Sequence, residues 1–339
     1  MRLKPTGILL LVLFVAAVLL PLGLDPRGNW LRVMGTVMIF AAAAQAWNIM
    51  GGLANQVSLG HAAFFGIGAY VSTLLYINFG ISPWIGMLIG ALVAAGAGAL
   101  ICLPTLRLTG HYFALATLAF AEVCRVIANS WSSVTGGPVG LTIPFAGDAP
   151  LLFQFRSTVP YYYIILALLV VVSVVFWRIQ VGAFGYRLRA LRETPEAASV
   201  VGVNVFRTKM IATMISAALT ALCGTVFVQF TFFFDPDSVF SLTTISIRLA
   251  MIAIVGGLGT LIGPIIGALF LLPLEEVAIT LLSSQASGVA QLAFGVVLIA
   301  AILIQPRGLV ALGPWIMRRL KGDQPSAPSD MTAKGETNV

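Results

Sequence analysis

Apolar runs of about twenty residues recur along nearly the whole chain, and this restricts the fold more than any other feature. Crossing about 30 Å of hydrocarbon at about 1.5 Å per residue takes about twenty helical residues. Ten segments meet that measure, near 7–24, 31–50, 57–79, 83–103, 109–129, 159–178, 209–233, 241–260, 263–282 and 288–305. The expected fold is an all-α integral membrane protein, a polytopic bundle of about ten transmembrane helices, some of them broken. Composition agrees. Hydrophobic residues make up 59% of the 339 residues and charged residues 9%, against about 25% charged in soluble domains. A water-soluble fold of this length would have too little polar surface to cover its core. The 34 glycines lie mostly inside apolar segments, where small residues let helices approach closely.

Charge sets the expected orientation. The net charge of +7 is concentrated in a few short connections, a positive-inside pattern rather than a nucleic-acid footprint. The connection 178–209 carries Arg178, Arg187, Arg189, Arg192, Arg207 and Lys209, and the end of the chain carries Arg307, Arg318, Arg319 and Lys321. Arg2 and Lys4 precede the first span, which is read as an uncleaved helix because Leu20-Pro21-Leu22-Gly23-Leu24 makes a poor cleavage site. Six spans precede the basic connection and four follow it. Both termini and the basic loop therefore fall on the cytoplasmic side, with Arg27 and Arg32 as outer exceptions. Residues 1–320 are read as one membrane domain and 321–339 as a polar, disordered cytoplasmic tail. The longest outer connection is 130–158. Cys102, Cys124 and Cys223 sit in apolar segments without metal-ligand spacing and are read as small core hydrophobes.

Two stretches stand out against this background. In the first, Asn55, Gln56, Ser58 and His61 interrupt apolar sequence between Asn48 and Tyr70. An irregular backbone at membrane depth is tolerated only inside protein or against a watery cavity. The stretch is therefore either an element of a substrate pathway or an interfacial turn whose polar residues face headgroups. The second lies in the basic loop. Thr194 suits an N-cap, Pro195 a first helical turn and Glu196 the helix dipole, so a short helix begins there and stops near Gly202. It either docks a cytoplasmic partner or only sets topology. Two triplets, Gly51-Gly52-Leu53 and Gly256-Gly257-Leu258, each precede a glycine-spaced apolar helix. They are either traces of an internal repeat or a coincidence in a glycine-rich chain. Residues 256–264 form either a turn between two helices or a re-entrant break.

Intramembrane ionisable residues each cost about 2.5–3.5 kcal/mol at a helix centre. Glu122 and Arg125, three apart on one helix, are expected to pair. Glu275 and Glu276 lie toward an outer end. Arg248, in the eighth span, either neutralises a carboxylate or faces the pathway. His61 and His111 read as hydrogen-bonded packing residues rather than metal ligands. No phosphate-binding Gly-x4-Gly-Lys-Ser/Thr loop, serine-histidine-aspartate set or HExxH motif occurs. The chain is therefore read as a non-enzyme with no catalytic or metal site and no cofactor of its own, and any energy from ATP must come through a partner.

As a set, these stretches resemble the branched-chain amino-acid permeases of bacterial ABC importers, in particular the LivM type. The resemblance rests on Asn55-Gln56-Val57-Ser58-Leu59-Gly60-His61-Ala62 and on Gly110-His111-Tyr112-Phe113-Ala114-Leu115-Ala116-Thr117-Leu118. It continues in Thr135-Gly136-Gly137-Pro138-Val139-Gly140-Leu141, in Val255-Gly256-Gly257-Leu258-Gly259-Thr260-Leu261-Ile262-Gly263-Pro264 and in Pro306-Arg307-Gly308-Leu309. It spans roughly 35–315 in order. Glu196, Ala197, Ala198 and Gly202 also fit the Glu-Ala-Ala-x3-Gly signature of ABC permeases.

The resemblance implies the ABC importer permease fold and a role in moving branched-chain amino acids across the inner membrane. It makes Arg187, Arg192, Glu196, Ala197, Ala198 and Gly202 the coupling surface. It makes Asn55, Gln56, Ser58, His61, Tyr112, Thr135, Gly136 and Gly137 candidates for the pathway. The implied partners are two ATPase subunits that bind the ATP, a second permease of the LivH type, a periplasmic substrate-binding protein and the lipid bilayer. Asn55, where the family commonly has Gly, and Val139, where a polar residue is frequent, are departures that bear on substrate choice. Urea and short amides are alternative cargoes, and a stand-alone carrier or channel is the alternative mechanism.

Overall fold

The computed structural model describes residues 5–23, 28–105, 110–282 and 308–311, together with 292, 295, 296, 299 and 303. The helices are α1 (Pro5–Gly23), α2 (Asn29–Asn48), α3 (His61–Phe79), α4 (Pro83–Thr105), α5 (His111–Ser130), α6 (Ser132–Thr135), α7 (Thr158–Val181), α8 (Ala183–Glu193), α9 (Pro195–Val200), α10 (Val205–Thr231), α11 (Pro236–Val239), α12 (Arg248–Gly256) and α13 (Gly263–Leu282). A π-helical turn, Ile49–Leu53, extends α2, and another, Leu242–Ile247, leads into α12. Two short strands, β1 (Leu141–Thr142) and β2 (Phe233–Phe234), pair antiparallel.

Among the described residues, eight stretches are long and apolar enough to cross a membrane, and Val12–Gly23 of α1 adds a shorter apolar one. They follow the first nine expected segments. The tenth, 288–305, falls largely outside the described residues, as do Arg2, Lys4, Arg27 and the tail 321–339. Residues 256–264 resolve into a helix turn. α12 ends at Gly256 and α13 starts at Gly263, and a side chain on Gly256 would collide with the Gly263 carbonyl. α10 starts four residues before the expected boundary because Asn204 caps it, its Oδ1 accepting from Arg207 N–H at 2.9 Å.

α2 is the central helix, buried without a gap from Val37 to Ala54 together with its π-helical extension. Small residues draw α3, α4 and α10 together. Gly68 of α3 lies directly on the Ala221 carbonyl of α10, and Gly224 of α10 on the Phe65 carbonyl of α3. The Thr225 hydroxyl donates to the Gly68 carbonyl at 2.9 Å, satisfying its second lone pair within the crossing. Gly90 and Gly98 of α4 approach Gly68 and Ala217. Apolar burial gives little net drive between helices in lipid, so this backbone proximity supplies the dispersion contact that holds the crossing. Arg248 pairs with Glu275 across α12 and α13 at 2.8 Å and lies 5.4 Å from the Phe40 ring centre. The neutralising alternative for Arg248 is thus the one adopted.

The end of the bundle away from the basic loop holds the only described strands. Leu141 pairs with Phe234 and Thr142 with Phe233, and Ile143 N–H donates to the Phe232 carbonyl at 2.8 Å. This ladder ties the long 130–158 connection to the end of α10. All three cysteines are free; Cys102 and Cys223 are buried and Cys124 is half-buried. An apolar groove of about 470 Å³ is lined by residues such as Leu13, Phe14, Met34, Met38 and Trp177.

The Gly68–Ala221 crossing makes a clear prediction. Gly68→Leu or Gly224→Val sets a side chain against a backbone carbonyl and should cost at least about 3 kcal/mol, above the usual overpacking range for a core that can adjust. Gly96→Ala, with open space at the same depth of α4, should be neutral. Thermal unfolding of the detergent-solubilised protein distinguishes them; equal melting of all three variants and wild type would refute this account of the packing.

Candidate functional site

The polar interruption after α2 is a true break in the membrane-spanning helices. The π-helical turn ends at Leu53, and the chain then runs without regular structure from Ala54 to Gly60 before α3 begins at His61. It turns back along α2, because Trp47 Nε1–H donates to the Ser58 carbonyl at 2.8 Å. Its backbone groups find partners inside the protein. Gln56 N–H reaches the Met50 carbonyl at 3.0 Å, Leu59 N–H the Thr117 hydroxyl at 3.0 Å, and Gly60 N–H the Ser58 hydroxyl at 3.3 Å. At the start of α3, Ala62 N–H donates to the Ser246 hydroxyl at 2.8 Å. These side chains take the place of the helical hydrogen bonds that the break gives up.

The break reaches deep into the bundle. His61 Nε2 lies 2.8 Å from the Ser216 hydroxyl, which itself donates to the Ala46 carbonyl at 2.7 Å. A hydroxyl has one proton, so Ser216 accepts from His61, and Nε2 carries the imidazole proton. Ser216 is eleven residues into α10, about 16 Å along its axis. An interfacial turn would not extend so far. His61 is thus a hydrogen-bonded packing residue, as its sequence context predicted, locking the break to α10. The chain exposes Asn55 rather than His61, at φ 52°. Asparagine tolerates that left-handed conformation better than other side-chain-bearing residues.

Gln56 and Ser58 are buried within the break, whereas Tyr112, at the start of α5, is exposed and does not join it. Thr135, Gly136 and Gly137 lie past the far end of α5. There the Thr135 hydroxyl binds the carbonyl of Trp131, and both glycines adopt positive φ. α5 connects the two groups: Thr117 touches the break, and Thr135 follows its last turn.

α5 is the least buried of the spanning helices, and its open side is not simply apolar. Arg125 Nε donates to Glu122 Oε2 at 3.0 Å, confirming the expected pair, and its guanidinium also binds Asp237 at the start of α11. Asn129 Nδ2 donates to the same Asp237 carboxylate at 3.1 Å. Glu122 and Asp237 remain about half exposed. Asp237, 112 residues from Arg125, could not be assigned to this cluster from sequence spacing alone. Its Asp-Pro-Asp-Ser context, with a capping box closed by Asp235 and Ser238, was the available sign of a helix start.

At the opposite end of the bundle the basic loop forms two helices, α8 and α9. Leu188, Leu191 and Ala198 bury against the bundle, while Arg187, Glu196, Ala197 and Gly202 face outward. Thr194 occupies the N-cap position of α9, but its side chain makes no capping hydrogen bond, contrary to the role its identity implied. α9 ends at Val200, as expected, before Gly202 at φ 86°. Val200 and Val201, which the sequence reading passed over, are among the most exposed large apolar side chains described. Arg192 is exposed as well, but its Nη1 reaches the Gly52 carbonyl at 3.3 Å.

Residues 29–304 match the family described as "Branched-chain amino acid transport system / permease component". The chain is 30% identical over 325 residues to the high-affinity branched-chain amino acid transport system permease protein LivM of Escherichia coli strain K12, covering 89% of this chain and 74% of that protein. It is 27% identical to the probable branched-chain amino acid transport permease protein LivH of Methanocaldococcus jannaschii, covering 78% and 86%. It is 24% identical to the nucleoside ABC transporter permease protein NupC of Lactococcus lactis, covering 58% and 65%. No solved structure matches the chain. With its membrane-spanning helices and the broken Asn48–His61 segment, the chain belongs to the branched-chain amino acid transport permease family of ABC transporters.

Proposed function

We propose that this chain is one of two permease subunits of an inner-membrane importer for branched-chain amino acids, energised by two separate ATPase subunits that dock on α8 and α9. The observation that carries the reading is the two-sided character of the basic loop. Its inner side is fixed by buried Leu188, Leu191 and Ala198, while Glu196, Ala197, Val200 and Val201 stand clear. A loop serving only topology needs basic charge but no anchored apolar tip. The clustered basic residues support a cytoplasmic side for this loop and both termini. The chain itself would hold no cofactor, catalytic group or metal.

The second permease, of the LivH type, covers the open side of α5. One guanidinium against two carboxylates leaves a negative charge over at Glu122, Arg125 and Asp237, which lipid cannot solvate. A protein partner, with the translocation path between the two subunits, accounts for both the charge and the exposed Val123 and Val126 beside it. A periplasmic binding protein would deliver substrate to the outer connection 130–158. The likeness to a nucleoside permease supports a second reading in which the fold is retained and the cargo is another small polar solute.

Two measurements test this reading. Gly202→Pro forces φ near −65° where the chain needs 86° and removes the N–H that binds Ser199. It and Glu196→Lys should abolish uptake in reconstituted transporter while the subunit stays in the membrane; wild-type uptake by both would refute the coupling role. Val126→Cys should cross-link to the second permease in membranes, and Ile77→Cys, exposed on α3, should not. Equal labelling of both by a lipid-soluble reagent, with no cross-link at 126, would refute the assignment of the α5 face.

A further inference from the structure

The two glycine triplets noted in the sequence meet at the basic end of the bundle. Asn48 is fully buried; its Oδ1 accepts from Gly259 N–H at 2.8 Å and its Nδ2 donates to the Thr260 carbonyl at 3.0 Å. A side chain on Gly52 would collide with Asn48 and with the Gly259 backbone. Two carbonyls at this junction, those of Gly52 and Gly259, face the basic loop. Arg192 of α8 donates to the first at 3.3 Å, and Gln180, in the last turn of α7, donates through Nε2 to the second at 2.8 Å. Arg189 of α8 in turn donates to the Gln180 carbonyl at 2.9 Å. α8 therefore grips the junction twice, once directly and once through Gln180.

The junction also leads to the break. Asn48 is followed by the π-helical turn, whose Met50 carbonyl holds Gln56, and is preceded by Trp47, whose indole holds Ser58. We propose that Gln180 and Arg192 form a mechanical link between the ATPase-docking helices and the broken segment, so that displacement of α8 and α9 moves residues 54–60. The inference rests on the permease reading above and assigns it a route. Arg192 is then a positioning residue that acts inward on Gly52, in addition to belonging to the coupling loop. A π-helical turn suits such a joint, because its hydrogen bonds are one residue out of the α-helical register and it can revert locally. The competing explanation is static capping, in which the two side chains only satisfy carbonyls at helix ends.

The two accounts differ in what they do to coupling. The complete transporter in proteoliposomes, with both permeases, the ATPases and the binding protein, is assayed for substrate taken up per ATP hydrolysed. Gln180→Glu keeps the side chain's shape but has no N–H for Gly259. It should leave hydrolysis near wild type while uptake per ATP falls about tenfold, within the usual span of coupling between sites. Arg192→Ala should lower the same ratio, and Arg192→Lys, which can still reach the Gly52 carbonyl, should restore most of it. Hydrogen exchange of residues 50–60 supplies a readout independent of transport. It should change with nucleotide in the wild type and cease to do so in Gln180→Glu. Uptake and hydrolysis falling in parallel, or exchange at 50–60 that ignores nucleotide in the wild type, would overturn the link and leave capping. Wild-type uptake that proceeds without ATP would overturn the permease reading, and the link with it.

Discussion

A backbone polar group at membrane depth must find its partner inside the protein, because lipid offers none. The segment from Ala54 to Gly60 meets that demand without helical hydrogen bonds. It borrows the Met50 carbonyl, the Thr117 hydroxyl and the Trp47 indole from the helices around it, and the Ser246 hydroxyl caps the start of α3 just beyond, at Ala62 N–H. Each of these donors or acceptors costs several kcal/mol if left unpaired in an apolar surrounding. The break therefore fixes the relative positions of α2, α3, α5, α10 and the Leu242–Ile247 turn. His61, held through Ser216 to the Ala46 carbonyl, adds α10 to the same lock.

Packing and polarity divide the work between the two sides of the bundle. On the α3–α4–α10 side, glycine and alanine bring backbones into contact, and the Thr225–Gly68 hydrogen bond is made within the crossing. Rigidity there comes from the absence of side chains. On the α5 side the bundle stays open and carries an ion cluster that lipid would penalise. A bundle closed on one side and open with charge on the other is suited to assembly with a second membrane subunit. The proposed coupling link joins the end of α2 and the α12–α13 turn to the docking loop, at the end remote from that cluster.

Much of this was legible in the sequence because the signals are local. Apolar length gave the spans, Gly202 marked a helix end, and the Glu122–Arg125 spacing gave an ion pair within one helix. The polar residues between Asn48 and His61 marked the break but not its depth. The sequence alone left open whether the Gly51 and Gly256 triplets were related. They turned out to be neighbours, 211 residues apart in the Asn48–Gly259 hydrogen bond. Gln180 gave no sign at all, since a glutamine ending a helix is ordinary until its partner carbonyl is known.

Hydropathy, charge asymmetry and the order of its motifs made this chain a multi-spanning permease subunit before any coordinates, because membrane solvation acts on each segment separately and can be read one segment at a time. Only the tertiary structure decided which polar groups meet. It joined Arg125 to Asp237, Arg248 to Glu275, and Arg192 and Gln180 to the two glycine turns. Those partners lie on different helices, and their pairing depends on how the helices cross. The crossings in turn follow from where glycine lets two backbones touch, a distance that no single segment contains.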